Sequence, residues 1–475
     1  MTPGAATRLV FWSVSLLLVA ALAIATLNAG RIYSWLEPAN QRPDDLAWDG
    51  PAEDLHAEIP AGLPKAPDRR TLAPQGAGLG WPTLHGPTHD NCSPETGLDL
   101  DWPDAGPPEK WRIPVGTGYA GPVAIEDCLV VAHRKQDREC VECFDCETGR
   151  SKWETSWPAT YQCPFNHSSG PYSTPVIDGG RVYALGADGE MRCLRLADGE
   201  TIWRRNLHHD YQVKIDVWPA AASPLVEGDR LIVNIGGRAT QAGIVALDKN
   251  TGQTLWTATS DGASCATARA ATIADRRCIF VWTADALVSL DPESGTVHWR
   301  IPFAASNYEA AHGTSPLVAG DVVFVSGYQI GNLCVRVLPD GSHRELWRDQ
   351  RQSLDSQYNN LIHLAGHVCG FSTTRRDLRC LDLFTGELKW KWRSPALNGT
   401  TIAVDGGYIL LGEKGRLAVL EIATTGVKVR SLTRRPVLAA PAMSYPALHN
   451  GLLYLRNEQE LVCIDLRKED AAPGG

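Results

Sequence analysis

The chain has 475 residues, with 44 Gly, 31 Pro and a formal charge of −9 at pH 7. That acidity excludes a basic face for nucleic acid. The Gly and Pro content fits a turn-dense β protein.

Residues 1–8 are a short stub expected on the cytoplasmic side. Residues 9–27 carry no charge, close to the roughly 20 residues of a membrane span. A transmembrane signal anchor over residues 9–29 is expected, with a cleaved signal peptide as the alternative. No Cys follows the run, which argues against lipoprotein processing. The body is then placed on the periplasmic, extracytoplasmic side. Residues 30–80 read as a Pro- and Ala-rich tether. Residues 81–108 read as a turn-rich lead-in packed on the repeats downstream.

From residue 109 to 467 one unit recurs. Its clearest copy is Ile244-Val-Ala-Leu-Asp-Lys-Asn-Thr-Gly-Gln-Thr-Leu-Trp256. It reads as a strand, an Asp-x-x-Thr-Gly turn and a second strand ending in Trp. Asp248 and Thr251 can bond turn amides, and Gly252 can take a positive φ. Copies start at Asp145, Asp291 and Asp382. Looser ones hold Asp198-Gly199 and Asp340-Gly341, and a worn one, Thr424-Thr425-Gly426, has Arg430 where Trp is expected. The tryptophans at 111, 153, 203, 256, 299, 347 and 390 are 42 to 53 positions apart. A period of about 40–50 residues built of strands and turns signals propeller blades.

A second constant piece precedes each copy, as in Ser173-Thr-Pro-Val, Ser223-Pro-Leu-Val and Ser315-Pro-Leu-Val. It supplies two inner strands, so each blade has four, A to D from the axis outward. Seven blades are expected over 121–153, 173–203, 222–256, 271–299, 315–347, 362–390 and 401–430. The last copy, 445–466, lacks a D strand, and Lys110-Trp111-Arg112 is a D strand without a blade. Pairing them predicts an all-β, eight-bladed propeller of antiparallel four-stranded blades, with no free edge at the seam. Residues 468–475 are a tail.

Among the 13 Cys, Cys143, Cys193, Cys334, Cys380 and Cys463 align with Ala246 and Ser289 in strand C. They are expected to be small buried hydrophobes. Cys128, Cys278 and Cys369 enter strand B, with register open by one. Cys140-x-x-Cys143-x-x-Cys146 has a metal-like spacing, but residues three apart on a strand face opposite ways. Cys163 and Cys265 sit in loops on one face and are the one pair worth checking for a bond.

The D-to-A loops gather on that face and are rich in polar and aromatic groups. They carry Tyr119, Tyr161, Asn166, His167, Tyr172, the run from His208 to Trp218, Thr267, Arg269, Glu309, His312, Asp355, Tyr358, Asn360 and Asn398. This end is the expected binding face, with His208-His209 read as a solvated pair. No G-x-S-x-G, H-E-x-x-H or Walker loop occurs, so hydrolase and nucleotide-driven chemistry are unsupported.

The Ala-x-Asp-x-x-Thr-Gly-x-x-x-Trp unit resembles the tryptophan-docking repeat of the PQQ-type propeller family (quinoprotein alcohol dehydrogenase-like and BamB-like). The resemblance spans residues 81–466. It implies that Trp111, Trp153, Trp203, Trp256, Trp299, Trp347 and Trp390 wedge between blades. It also implies two functions. BamB-like members bind protein partners, which favours a membrane-anchored scaffold for an envelope protein or ligand. Dehydrogenase members hold PQQ with Ca²⁺ and oxidise alcohols or sugars. By that analogy Trp218 would stack the quinone, and Arg269 or Lys214 would meet its carboxylates. Glu309, Asn360 and Asp216 would supply oxygen to Ca²⁺, and Asp355 would be general base. The chain departs from the dehydrogenases in lacking adjacent cysteines and a Cys-x-x-Cys-His haem motif.

Overall fold

The computed structural model describes residues 80–165, 167–215, 218–219, 221–304, 312–349 and 353–468. The expected anchor, the tether and the tail beyond residue 468 lie outside them. Among the described residues no helix is long and apolar enough to cross a membrane. Two compact units are distinguished. The ring belongs to one, and of the other only Pro164, Phe165 and His167 are described.

Eight antiparallel four-stranded sheets form the ring. Seven are built from consecutive strands, as in blade one: Val123–Ile125, Cys128–Lys135, Arg138–Asp145 and Ser151–Pro158. The eighth is composite. Glu109–Pro114 pairs with Glu460–Asp465, and Trp111 faces Cys463. The two incomplete ends therefore complete each other, as the sequence predicts. The D strands run past their tryptophans, to Pro158 in blade one and Asn206 in blade two.

Local chemistry shapes each C-to-D turn. The Asp248 carboxylate accepts from the Thr251 amide at 2.8 Å and its hydroxyl at 3.0 Å, while Gly252 sits at φ +73°. Asp145 with Thr148 and Asp291 with Ser294 repeat this. A bulge comes next in every D strand, and the Trp stands opposite the small strand-C residue, as Trp256 opposite Ala246.

Apolar layers between neighbouring blades make up the core. One larger layer joins blades seven, eight and one. All seven indoles reach the next blade, and six of them bond to it. Their N–H groups donate to Cys146, Leu196, Lys249, Pro292, Leu383 and Thr424 carbonyls, at 2.8 to 3.1 Å. Trp299 differs. Blade five has the shorter Asp340-Gly341 turn, Trp299 tilts over His343 with ring centroids 5.0 Å apart, and its N–H finds no partner among the described residues.

Blade seven departs from the sequence reading. Its C-to-D connection is a tight turn pairing Ala423 with Gly426, and the bulge falls at Arg430. Ser431, opposite Val419, takes the Trp place. The lead-in fills the gap. Leu98, Leu100 and Trp102 join the layer between blades seven and eight, Ser431 bonds the Leu100 carbonyl, and Arg430 pairs with Asp101.

All five strand-C cysteines are buried thiols, and none of the 13 is disulfide-bonded in this structure.

Candidate functional site: the loop face and its floor

At the head of the A strands a belt of side chains links blade to blade around the axis. The Gly121 amide donates to Thr174 at 2.8 Å, Thr174 to Ser223 at 3.0 Å, Ser223 to Thr267 at 3.0 Å and Thr267 to Ser315 at 3.2 Å. Each hydroxyl satisfies the amide of the blade before it, which would otherwise be a buried orphan. Asn360 continues the belt. Its carbonyl accepts from the Thr401 amide at 2.7 Å, and its NH₂ donates to the Thr401 carbonyl and hydroxyl.

The lead-in crosses beneath. It enters from the face of the A-to-B turns, where Glu95 accepts from the amides of Asn450 and Gly451 in blade eight. Trp81 pairs with Ala124 in blade one, Pro82 accepts from Ile177 in blade two, and Asn91 and Ser93 bracket Ala403 in blade seven. His85 is the tip. Its Nδ1 meets Asn91 at 3.0 Å, its Nε2 meets Ser315 of the belt at 2.8 Å, and its ring stands edge-on to Tyr445. Burial, with the Arg269 charge behind it, lowers the His85 pKa to about 3, so this imidazole, the plug beneath the belt, is neutral.

Above the belt lies an aromatic cluster. Tyr119 and Tyr172 meet edge to face at 5.6 Å, and Tyr172 stands 6.5 Å from Trp218 at 84°. The Tyr172 hydroxyl donates to the Ser168 carbonyl, and the Ser168 amide donates to the Tyr119 oxygen at 3.4 Å. Tyr358 donates to Glu413 at 3.2 Å. Burial raises the Glu413 pKa, which the Tyr358 bond partly opposes. Burial likewise raises Tyr119, Tyr172 and Tyr358, so all three keep their protons.

Two buried ionisable groups brace this face. Arg134 donates to the carbonyls of Gln136, Ala159, Tyr161 and Ser169, which shapes the loop after blade one. Glu139 accepts from Trp157 Nε1 at 3.1 Å and the Ala187 amide at 3.0 Å. Burial nevertheless lifts its pKa to about 7. The folded protein thus holds this proton more tightly than the unfolded chain does. Glu139 contributes stability in full below the unfolded pKa near 4.5, and that contribution is lost as pH rises through about 7. The expected loss is about 3 kcal/mol between pH 5 and pH 8. Urea unfolding of wild type and Glu139→Ala at both pH values checks it: the difference between the two proteins must change with pH.

Of the residues expected to hold a quinone and calcium, those described are not brought together. Asp355 is fully buried, and its carboxylate accepts from the Ser372 hydroxyl and the Thr374 amide. It staples a loop and has no open side for a substrate. Asn360 is engaged with Thr401. Arg269 lies at the plug, where its charge depresses both His85 and His89, and not beside Trp218. Lys214 is exposed. Glu309 and Asp216 lie outside the described residues. Among the described residues no group of three or more His, Cys, Asp or Glu is placed to hold a metal ion. Among the described residues, Asp355, Asn360 and Arg269 are thus committed elsewhere and do not converge on Trp218.

Other expectations also change. His208 is buried beneath Gly189 in a one-turn helix capped by Asn206, and only His209 is exposed. His312 is buried edge-on against Trp282 at 4.7 Å. The belt and the plug were missed from sequence. Their signal was the Ser/Thr-Pro pair before several A strands, and the Trp81-to-Ser93 run.

A closed ring of eight four-stranded antiparallel blades with apolar layers between them defines an eight-bladed β-propeller. The chain belongs to the family described as outer membrane protein assembly factor BamB, whose profile matches residues 137–392, more than half its length. BamB from Moraxella catarrhalis is similar in fold, with 18% identity and a TM-score of 0.52, covering 78% of this chain and 100% of that one. The quinohemoprotein alcohol dehydrogenase of Comamonas testosteroni is also similar, with 13% identity, a TM-score of 0.61, and 84% and 82% coverage. At these identities the likeness is one of fold. No curated protein sequence matches the chain.

Proposed function

We propose that this propeller is a protein-binding scaffold of the cell envelope, anchored at its N-terminus and recognising its partner through the loop face. Family membership points to the assembly of outer membrane proteins as the setting. The carrying observation is the face itself. Tyr119, Tyr172 and Trp218 form an aromatic cluster on the loop face, while Asp355 and Asn360 are engaged in internal bonds. Aromatic groups with polar tips are the side chains that dominate protein interfaces.

A photo-crosslinking residue at Trp218 is expected to capture an outer-membrane assembly component in intact envelopes. The same residue at Phe384, on a C-to-D turn of the opposite face, is expected to capture none. Equal capture at both sites would refute the loop face as the interface. Saturable tryptophan quenching by PQQ with Ca²⁺, accompanied by dye-linked alcohol oxidation, would replace the proposal with the dehydrogenase reading.

A further inference from the structure

The repeat supplies its own control for one position. In each blade the strand-C residue facing the Trp place has a strand-B neighbour directly opposite. That neighbour is Val130 for Cys143, Tyr183 for Cys193, Ile232 for Ala246 and Phe280 for Ser289. It is Phe324 for Cys334, Ile409 for Val419 and Tyr454 for Cys463. A small group in strand C is thus usually filled from strand B by a larger apolar one. Blade six breaks the rule: Cys380 faces Cys369. The two Sγ atoms are 2.8 Å apart, and both side chains are fully buried.

We propose that Cys369 and Cys380 are a disulfide-forming pair that staples strands B and C of blade six. Directly opposed residues of an antiparallel pair have Cβ atoms about 4.5–5.5 Å apart against about 3.5–4.5 Å across a disulfide, so bonding draws the two strands together by about 1 Å. Two sulfurs in mutual contact need only a small side-chain rotation to bond. The reaction is thiol–disulfide exchange with an oxidised small-molecule or protein disulfide, R–S–S–R. One Cys thiolate attacks it and releases RS⁻. The second Cys thiolate then attacks the mixed disulfide and releases another RS⁻. Two Cys thiols and one R–S–S–R give one Cys369–Cys380 disulfide and two RSH. Burial restricts attack to the folding chain or to openings of the hairpin.

The staple lies under the loop face. The hairpin it would close carries Ser372 and Thr374, which hold Asp355. It also carries Arg376, whose charge acts on Glu413. No other strand-B thiol stands directly opposite a strand-C thiol: Cys278 faces Ala271, and Cys128 faces Ile125 and Asp145 and meets Cys143 only on the diagonal.

The test is refolding from denaturant in oxidised and reduced glutathione, followed by alkylation in denaturant and tryptic mass spectrometry. The expected product is peptide 352–375 joined to peptide 380–389, with the remaining 11 of the 13 cysteines alkylated. The oxidised protein is expected to melt about 5 °C above the reduced one. Cys369→Ser and Cys380→Ser each abolish that difference. Near-ultraviolet circular dichroism shows that each sample has folded. Folded, oxidised protein in which both cysteines are alkylated, or carry glutathione separately, overturns the proposal.

Discussion

Replacing Arg456 by Leu is expected to cost about 4 kcal/mol of stability. This guanidinium is fully buried at the end of strand B in blade eight. It donates to the carbonyls of Ala132 at 2.7 Å, Gly116 at 2.9 Å, Asn457 at 3.1 Å and Ala120 at 3.2 Å. Three of those carbonyls belong to blade one or its approach, so the side chain clamps the seam where the ring closes. Burial lowers its pKa to about 10, a value that still leaves it charged at neutral pH. Leu fills part of the volume but leaves four carbonyls without a donor. Arg456→Lys retains the charge with fewer, differently aimed donors and is expected to fall in between. Urea unfolding followed by tryptophan fluorescence measures both. A loss under about 1 kcal/mol for the Leu variant would mean that the seam is held elsewhere.

A second large effect is expected at Gly252. A Cβ there would lie 2.8 Å from the Trp203 ring, and the backbone sits at φ +73°. The indole cannot retreat, because its N–H is tied to the Lys249 carbonyl at 3.0 Å. Gly252→Val combines left-handed strain with a forced separation of blades two and three, and about 3 kcal/mol is expected. Gly341→Ala is the comparison. Its φ is +86°, but the added Cβ would meet the end of the flexible Arg276 side chain at 2.8 Å. About 1 kcal/mol is expected there. Equal losses at the two glycines would show that the indole is not what constrains the turn.

These turns also mark what is legible in the sequence alone. Asp248, Thr251 and Gly252 act within five residues of one another, so their chemistry is local and repeats visibly. The closure was legible for a different reason: Trp111 had no blade and Cys463 had no outer neighbour, and each lack named the other. The belt was hidden because its bonds join residues 44 to 53 positions apart through short hydroxyls that look like ordinary loop polars. Asn360 and Asp355 suggest metal and base for the same reason. An exposed carboxylate and one capped by Ser372 and Thr374 are identical in sequence. Blade seven departs by one residue, since the tight Ala423–Gly426 turn shifts the bulge onto Arg430. The Trp81-to-Ser93 run marked a lead-in packed on the repeats, but nothing in Trp81 or His85 says that it crosses to Ser315.

The clamp at Arg456 ties residues 340 positions apart. During synthesis the ribbon at Glu109–Pro114 emerges early and finds no mate until the final hairpin leaves the ribosome. Its row of amides and carbonyls must therefore wait, open to capture by another chain. Assembly should finish in one late, slow event, and a nascent polypeptide halted before residue 460 would be a sticky, gapped arc rather than a smaller version of the finished wheel.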